Sequence, residues 1–325
     1  MNNNRDIIIT LCSYLCVGTD VKPYTNKEWA TISSLLLENN KQPYDLLNFT
    51  NDDFVKILKF DFEEIERIKR LFARSASLAF EIEKLNNKGI NLITRADKEY
   101  PKILKKKLSY KCPPIFYYAG NLEILNQKFI GFVGSRTISD SDIMFTESAV
   151  KHFIEEGYSI VSGGAKGVDS VSTKCAIDNG SYAVEFLADS LIKKIKDVNV
   201  VNAIQNNKLL LLSATIPSTG FDVGTAMQRN KFIYCLSEKT IVVKSDYNKG
   251  GTWAGAKEAI NNAFTNVCCW NNNEYTGNQH LIELGADIID NDFKIEVNNN
   301  KVEKIKKEKK VKKEKIEQLN IFDFC

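Results

Sequence analysis

The sequence predicts an α/β fold in which a mainly parallel sheet is covered by helices on both faces and preceded by a small helical domain. Three observations carry this. Short apolar runs alternate with helical patterns from residue 129 to about residue 290, and strand-helix-strand in that rhythm gives a parallel sheet. Two of the runs break into a glycine turn and then a helix, at Phe129–Arg136 and at Ser159–Asp169, as at the carboxyl edge of such a sheet. The first eighty or so residues show helical spacing instead. Ile57, Phe60, Ile65, Ile68, Leu71 and Phe72 recur at intervals near three and four, opposite Glu63, Glu64, Glu66, Lys69 and Arg70.

Taken in order, residues 1–88 read as four or five short helices with a capping signal at Thr50-Asn51-Asp52-Asp53. The mixed charge of their outer faces favours a structural or partner role over DNA contact. Residues 89–120 form a bridge. Gly89 ends a helix, residues 91–94 and 114–120 read as strands, and Tyr100-Pro101 and Pro113-Pro114 are turn signals. Beyond the two opening strands, strands are expected at 181–187, 208–213, 239–244 and 265–270. Helices are expected at 142–156, 168–179, 190–206, 225–237 and 253–263. The organisation predicted is a helical domain over 1–88, an α/β domain over 89–292 and a Lys-rich tail over 293–325.

Chemistry concentrates in the loops. Gly134-Ser135-Arg136 follows one strand and Ser162-Gly163-Gly164-Ala165-Lys166-Gly167 the next. Glycines let successive backbone N–H groups converge on an anion, and the helix that follows adds the positive end of its dipole. Arg136 and Lys166 add a full charge at each mouth. A third glycine turn, Gly250-Gly251-Thr252, opens another helix, and Gln228-Arg229-Asn230-Lys231-Phe232 places two cations and an amide near the same edge. Together these describe a groove for several phosphates or a nucleotide chain, in which Arg offers a planar fork of donors and Lys a point charge. Phe232, Tyr247 and Trp253 are the aromatic candidates for stacking on bases.

Composition narrows the classes. The chain has 325 residues, 43% of them apolar, enough for one large and one smaller domain. Its net charge of +3 sits largely in the lysine run of 301–315, so the body is not a basic nucleic-acid coat and binding must come from a local patch. Eight cysteines form no Cys-x-x-Cys pair and the two histidines, His152 and His280, lie at no ligand spacing. No metal or cofactor is expected. No run of about 18 apolar residues and no leader with a small-residue cleavage site is present. The sequence reads as a soluble cytoplasmic protein with reduced cysteines.

The order of motifs resembles the DNA-processing protein A family (DprA/Smf). The residues that carry the resemblance are Asp97 to Leu104, Pro113-Pro114 through Gly120, Val133-Gly134-Ser135-Arg136, Ser162 to Asp169, Gln228 to Ile233, Gly277 to Ile282 and Gly285-Ala286, over roughly residues 90–290. The resemblance implies an extended Rossmann-like domain that binds single-stranded DNA without enzymatic activity, dimerises, and loads a RecA-type recombinase during transformation. Carried over by position, Ser135, Arg136, Gly163, Gly164, Lys166, Gly167, Arg229, Asn230 and Lys231 line the DNA groove. The chain departs from the family at Ser172-Thr173, where an Ala-His pair is usual, and at Lys244, where a Glu is usual. A Tyr-Pro element is missing from 188–202, Gly250-Gly251-Thr252 replaces a Ser-Gly-Ser turn, and no winged-helix pattern follows. A second likeness, to nucleoside-monophosphate phosphoribohydrolases, rests on Gly250-Gly251-Thr252 with Glu258, facing Gly163-Gly164. It leaves a nucleotide-processing enzyme as the alternative, although no paired carboxylate is evident.

The tail is polar from 298 to 317, with Val302, Ile305, Val311 and Ile316 too sparse to bury a face, and is expected to be disordered or a lone charged helix. It ends in Gln318-Leu319-Asn320-Ile321-Phe322. This resembles the Gln-Leu-x-Leu-Phe peptide with which bacterial replication and repair proteins dock on the sliding clamp, and Gln318, Leu319, Ile321 and Phe322 are its expected contact residues.

Overall fold

The computed structural model describes residues 3–16 and 21–298. Helices come first: α1 (Asn3–Cys12), α2 (Asn26–Glu38), a 3₁₀ turn (Pro43–Asn48), α3 (Asn51–Leu58), α4 (Phe62–Ala73) and α5 (Ser75–Asn86). Thr25 and Thr50 each close a capping box, with Glu28 and Asp53, so two helix starts are set by local hydrogen bonds alone. The periodic run that begins at Ile57 is cut in two because Lys59 takes a left-handed conformation (φ 59°) and Asp61 caps the next helix.

These helices bury their apolar stripes against the sheet. One cluster of buried side chains runs from Ile7, Trp29, Leu36 and Leu71 to Ile115, Tyr117, Ala183 and Leu211. Arg74 ties the bundle together by donating to the carbonyls of Thr10, Ser13 and Leu15. The helical segment therefore shares its core with the sheet it covers.

The rest of the chain runs β1 (Asn91–Thr94), α6 (Lys102–Leu108), β2 (Ile115–Ala119), β3 (Phe129–Val133), α7 (Asp140–Glu155), β4 (Ser159–Ser162), α8 (Val168–Asp178) and β5 (Ala183–Phe186). It continues α9 (Leu191–Lys194), α10 (Val198–Gln205), β6 (Leu209–Ser213), α11 (Val223–Leu236), β7 (Lys239–Val242), α12 (Gly250–Asn262), β8 (Asn266–Trp270), α13 (Thr276–Glu283), β9 (Asp287–Ile289) and β10 (Ile295–Glu296). The helix expected over 190–206 is two helices, because Asp197 caps a new start at α10. α6 falls inside the bridge, where the sequence reading placed only strands and turns.

The ten strands among the described residues form one sheet in the order β1-β2-β6-β5-β4-β3-β7-β8-β9-β10. The sheet is mixed. From β6 to β9 the ladders are parallel, as in Ile130 opposite Ile160 and Gly131 opposite Thr240. The β1–β2, β2–β6 and β9–β10 ladders at the margins are antiparallel. This corrects the reading of a mainly parallel sheet at its two edges. At β9–β10 the reason is the connection, since a loop this short cannot carry a parallel crossover. The sheet also continues past residue 292 into a stretch assigned from sequence to the tail.

The strand order places the site. From β3 the chain winds outward through β4, β5 and β6, then returns to pair β7 on the other side of β3 and winds outward through β8 and β9. The carboxyl ends of β3 and β7 therefore flank a topological switch point, where neighbouring loops diverge and leave a crevice. A second apolar layer of α6, α11 and α12 covers one face at this point, and α7 and α8 cover the other. Among the described residues, no helix is long and apolar enough to cross a membrane.

Candidate anion-binding cleft

A cleft of about 660 Å³ opens at the β3/β7 switch point, and a second of about 600 Å³ adjoins it beyond β4 and β5. Gly134, Ser135, Arg136, Asn230, Gly250, Gly251 and Thr252 line the first. Gly163, Gly164 and Lys166 line the second, and Arg136 and Arg229 reach both. Ser162, Gly167 and Lys231 line neither.

The three glycine loops hold one another. Gly134 carries no side chain because Val168, the first residue of α8, sits where a Cβ would go. Val168 N donates to Ser135 O at 3.3 Å, and Gly167 turns at φ 80° against the Ser135 carbonyl. Thr252 Oγ1 donates to Gly134 O at 2.9 Å, which fixes the start of α12 to the first loop. Asn230 Nδ2 donates to Gly251 O at 3.1 Å. Ser162 Oγ is used internally, donating to Phe132 O at 2.7 Å. No side chain caps α12, so its first-turn N–H groups face the first cleft without an intrahelical partner. Arg136 and Lys166 are exposed at the rim.

Arg229, Asn230 and Lys231 do not converge. They lie within α11, and consecutive helical residues point about 100° apart at 3.6 per turn. Arg229 turns inward and is buried, with its guanidinium 3.6 Å from the Asp169 carboxylate and directly over Gly163. Burial works to lower its pKa, and the charges of Asp169 and Glu185 oppose that. Lys231 turns instead to Glu258, at 3.1 Å. Beneath the second loop, buried Glu185 meets Lys194 at 3.0 Å, and Lys194 Nζ donates to Gly164 O at 3.2 Å. The glycine loop thus rests on a layer of paired charges.

Several lining side chains lay outside the sequence expectations, Lys244 and Phe221 among them. Lys244 leaves the end of β7 and lines the first cleft, 3.4 Å from Asp142 and 5.0 Å from the centre of the Tyr275 ring. Burial alone would raise the Asp142 carboxyl. Hydrogen bonds from Tyr275 and Ser139, with the Lys244 charge, hold it below the usual carboxylate range. The departure from a usual Glu at 244 was the only signal in the sequence. Phe221, half exposed, lines both clefts, and no motif marks it. Of the aromatics expected to stack on bases, Phe232 and Trp253 are core residues. Phe232 packs on Phe116 and Phe186, and Trp253 is buried against Tyr247. A helical residue on the sheet-facing stripe has no other place to go.

Residues 91–298, more than half of the chain, match the model of the family described as DNA recombination-mediator protein A. The chain belongs to this family. Among relatives of the DNA recombination-mediator protein A family, it is 27% identical over 210 residues to the DNA processing protein DprA of Bacillus subtilis, covering 60% of this chain and 69% of that protein. It is 27% identical over 216 residues to protein Smf of Synechocystis, covering 64% of this chain and 54% of that one. The chain thus spans about half the length of the Synechocystis protein. In three dimensions it is similar to DNA processing protein A of Streptococcus pneumoniae, with a TM-score of 0.69 and 22% identity over 88% of this chain and 94% of that one. The Helicobacter pylori protein, described for its single-stranded DNA binding mode, gives a TM-score of 0.51 and 23% identity over 62% and 90% of the two chains. The family resemblance read from the loop motifs is borne out, and the mixed α/β fold with a leading helical segment is shared with the Streptococcus pneumoniae structure.

Proposed function

We propose that the chain binds single-stranded DNA in DNA processing and recombination, holding the strand along the carboxyl edge of its sheet. One observation carries the reading. Three interlocked glycine loops present an uncapped helix start, Arg136 and Lys166 along two adjoining clefts, a surface that matches a run of phosphates better than a single one. Family membership supports it.

The test is fluorescence anisotropy with a labelled oligothymidine. The Arg136→Glu, Lys166→Glu double variant is expected to lose about a hundredfold in affinity at low salt, as two charge-assisted contacts of ~1.5 kcal/mol each require. Its melting temperature is expected to stay unchanged, because both side chains are exposed. Wild-type affinity should fall steeply as salt rises. Equal binding by the double variant would remove the groove assignment.

The nucleotide-hydrolase alternative gains no support from the geometry. Glu258 is paired with Lys231, and of the two carboxylates on the first cleft Asp169 faces Arg229 and Asp246 is on the exposed rim.

From the family resemblance we further propose a homodimer that hands DNA to a RecA-type recombinase. Sedimentation of the chain alone and with the recombinase checks both, and a monomer that never co-sediments removes them. The peptide Gln318–Phe322 lies outside the described residues. We propose it as a clamp-docking segment on the strength of its motif. A labelled peptide spanning residues 313–325 is expected to bind the bacterial sliding clamp with micromolar affinity by fluorescence polarisation, and to lose this when Leu319 and Phe322 are both changed to Ala. No binding by the unaltered peptide ends the idea.

A further inference from the structure

Phe221 sits on the rim where the two clefts meet. It is 47% exposed, it lines both cavities, and the Arg136 guanidinium lies 4.7 Å from its ring centre. An aromatic ring left half in water is common on a surface, but this one keeps an open face at the mouth of both clefts. The segment that carries it is braced. Ile192 N and Ser190 Oγ both donate to Pro217 O, Thr219 N donates to Ile216 O at 2.9 Å, and Asp222 caps α11 by accepting from Thr225 N at 2.7 Å.

The first cleft sets an apolar side beside an anion-binding one. Phe221, Val223 and Met227 line it, with Val223 68% exposed, and so do Lys249 and the uncapped start of α12, Met227 Sδ standing 3.9 Å from where a Gly251 Cβ would be. A free phosphate has no use for the apolar side, and an acidic peptide offers no flat face to a ring. A nucleotide carries both, a planar base and an anion a few ångströms away. In a duplex the base faces are stacked on one another, so only an unpaired strand presents one.

We infer that Phe221 is a base-stacking site, on which one nucleobase of a single strand lies while the phosphates on either side of it enter the two clefts. The inference rests on the single-stranded DNA reading above and adds to it the residue that reads base faces, apart from those that hold phosphates. Arg136 serves both, against the ring and toward phosphate.

The experiment uses the full chain with two probes of equal length, an oligothymidine and an oligomer of abasic tetrahydrofuran nucleotides. Phe221→Ala is expected to weaken oligothymidine binding roughly tenfold, the scale of one base–aromatic stack, and to leave abasic binding unchanged. Phe221→Trp is expected to keep oligothymidine binding, with its indole emission quenched by oligothymidine and not by the abasic strand. The native tryptophans, Trp29, Trp253 and Trp270, are buried and supply a constant background. If Phe221→Ala weakens both probes alike, the ring only props Arg136 and the inference is overturned. Unchanged oligothymidine binding also overturns it, and so does an unquenched Trp in a variant that binds. A wild-type chain that binds neither probe is a separate result, which removes the DNA reading itself. Should Phe221→Ala melt early, the Trp variant decides alone.

Discussion

Asp169→Ala is expected to cost about 3–5 kcal/mol of folding stability, the scale on which removing one partner of a buried ion pair leaves the other charge stranded. Asp169 and Arg229 are both buried, and the carboxylate is the nearest counter-charge to a guanidinium already disfavoured by burial. The same carboxylate accepts from Ala165 N, so its loss frees the second glycine loop as well. Urea denaturation reads the first effect and oligothymidine binding the second. The companion variant sharpens the test. Adding Arg229→Met to Asp169→Ala removes the stranded charge, and is expected to recover most of the lost stability while binding stays impaired. A single variant as stable as wild type would show that water or another group already serves Arg229, and that the pair is not what supports the loop.

Gly163→Ala is the other large expected effect, and it acts by space alone. A Cβ on Gly163 would overlap the Arg229 guanidinium and lie 2.6 Å from the Asp169 carboxylate. The atoms met are the tips of the Arg229 and Asp169 side chains, so relief displaces the buried pair or the loop. Overpacking of this kind costs typically ~1–3 kcal/mol. Since the loop lines the second cleft, affinity for oligothymidine is expected to fall at least roughly tenfold, one lost charge-assisted phosphate contact. Gly220→Ala is the control. Nothing lies within 4 Å of a Cβ there and its backbone is not left-handed. It is expected to leave stability unchanged or slightly raised. Equal behaviour of the two variants would mean that the tight fit around Gly163 is not what shapes the cleft.

Both variants act on a layer that the loop motifs do not reveal. Gly163 reads from sequence as a residue that lets backbone approach phosphate. In the structure it is also the only residue type that leaves room for Arg229. Asp169 stands in the motif as the start of a helix, and its partner lies sixty residues on in another helix. Glu185, in the middle of an otherwise apolar strand, looks like an error in the pattern until Lys194 is found beside it. The sheet margins are similar. β1 and β2 are evident as apolar segments, but that they add to β6 antiparallel depends on which edge they reach.

What the sequence by itself determined were the features set by local chemistry. Thr25 and Thr50 start helices because their hydroxyls reach N–H groups three residues on. The runs at 129–133 and 159–162 become strands because they are apolar and too short for helices. Gly164 and Gly167 mark turns because their backbones are left-handed, which glycine takes without strain. The motifs between Asp97 and Ala286, in their order along the chain, also sufficed for the family. Only the tertiary structure decided which cations are free. Arg136 and Lys166 stay exposed, Arg229 is buried against Asp169, Lys231 is spent on Glu258, and Lys244 lies against Asp142. The physical reason is that a charge is available to a ligand only when no nearer counter-charge holds it. That counter-charge comes from elements far apart in sequence, so no local pattern around a lysine or arginine records whether it has one.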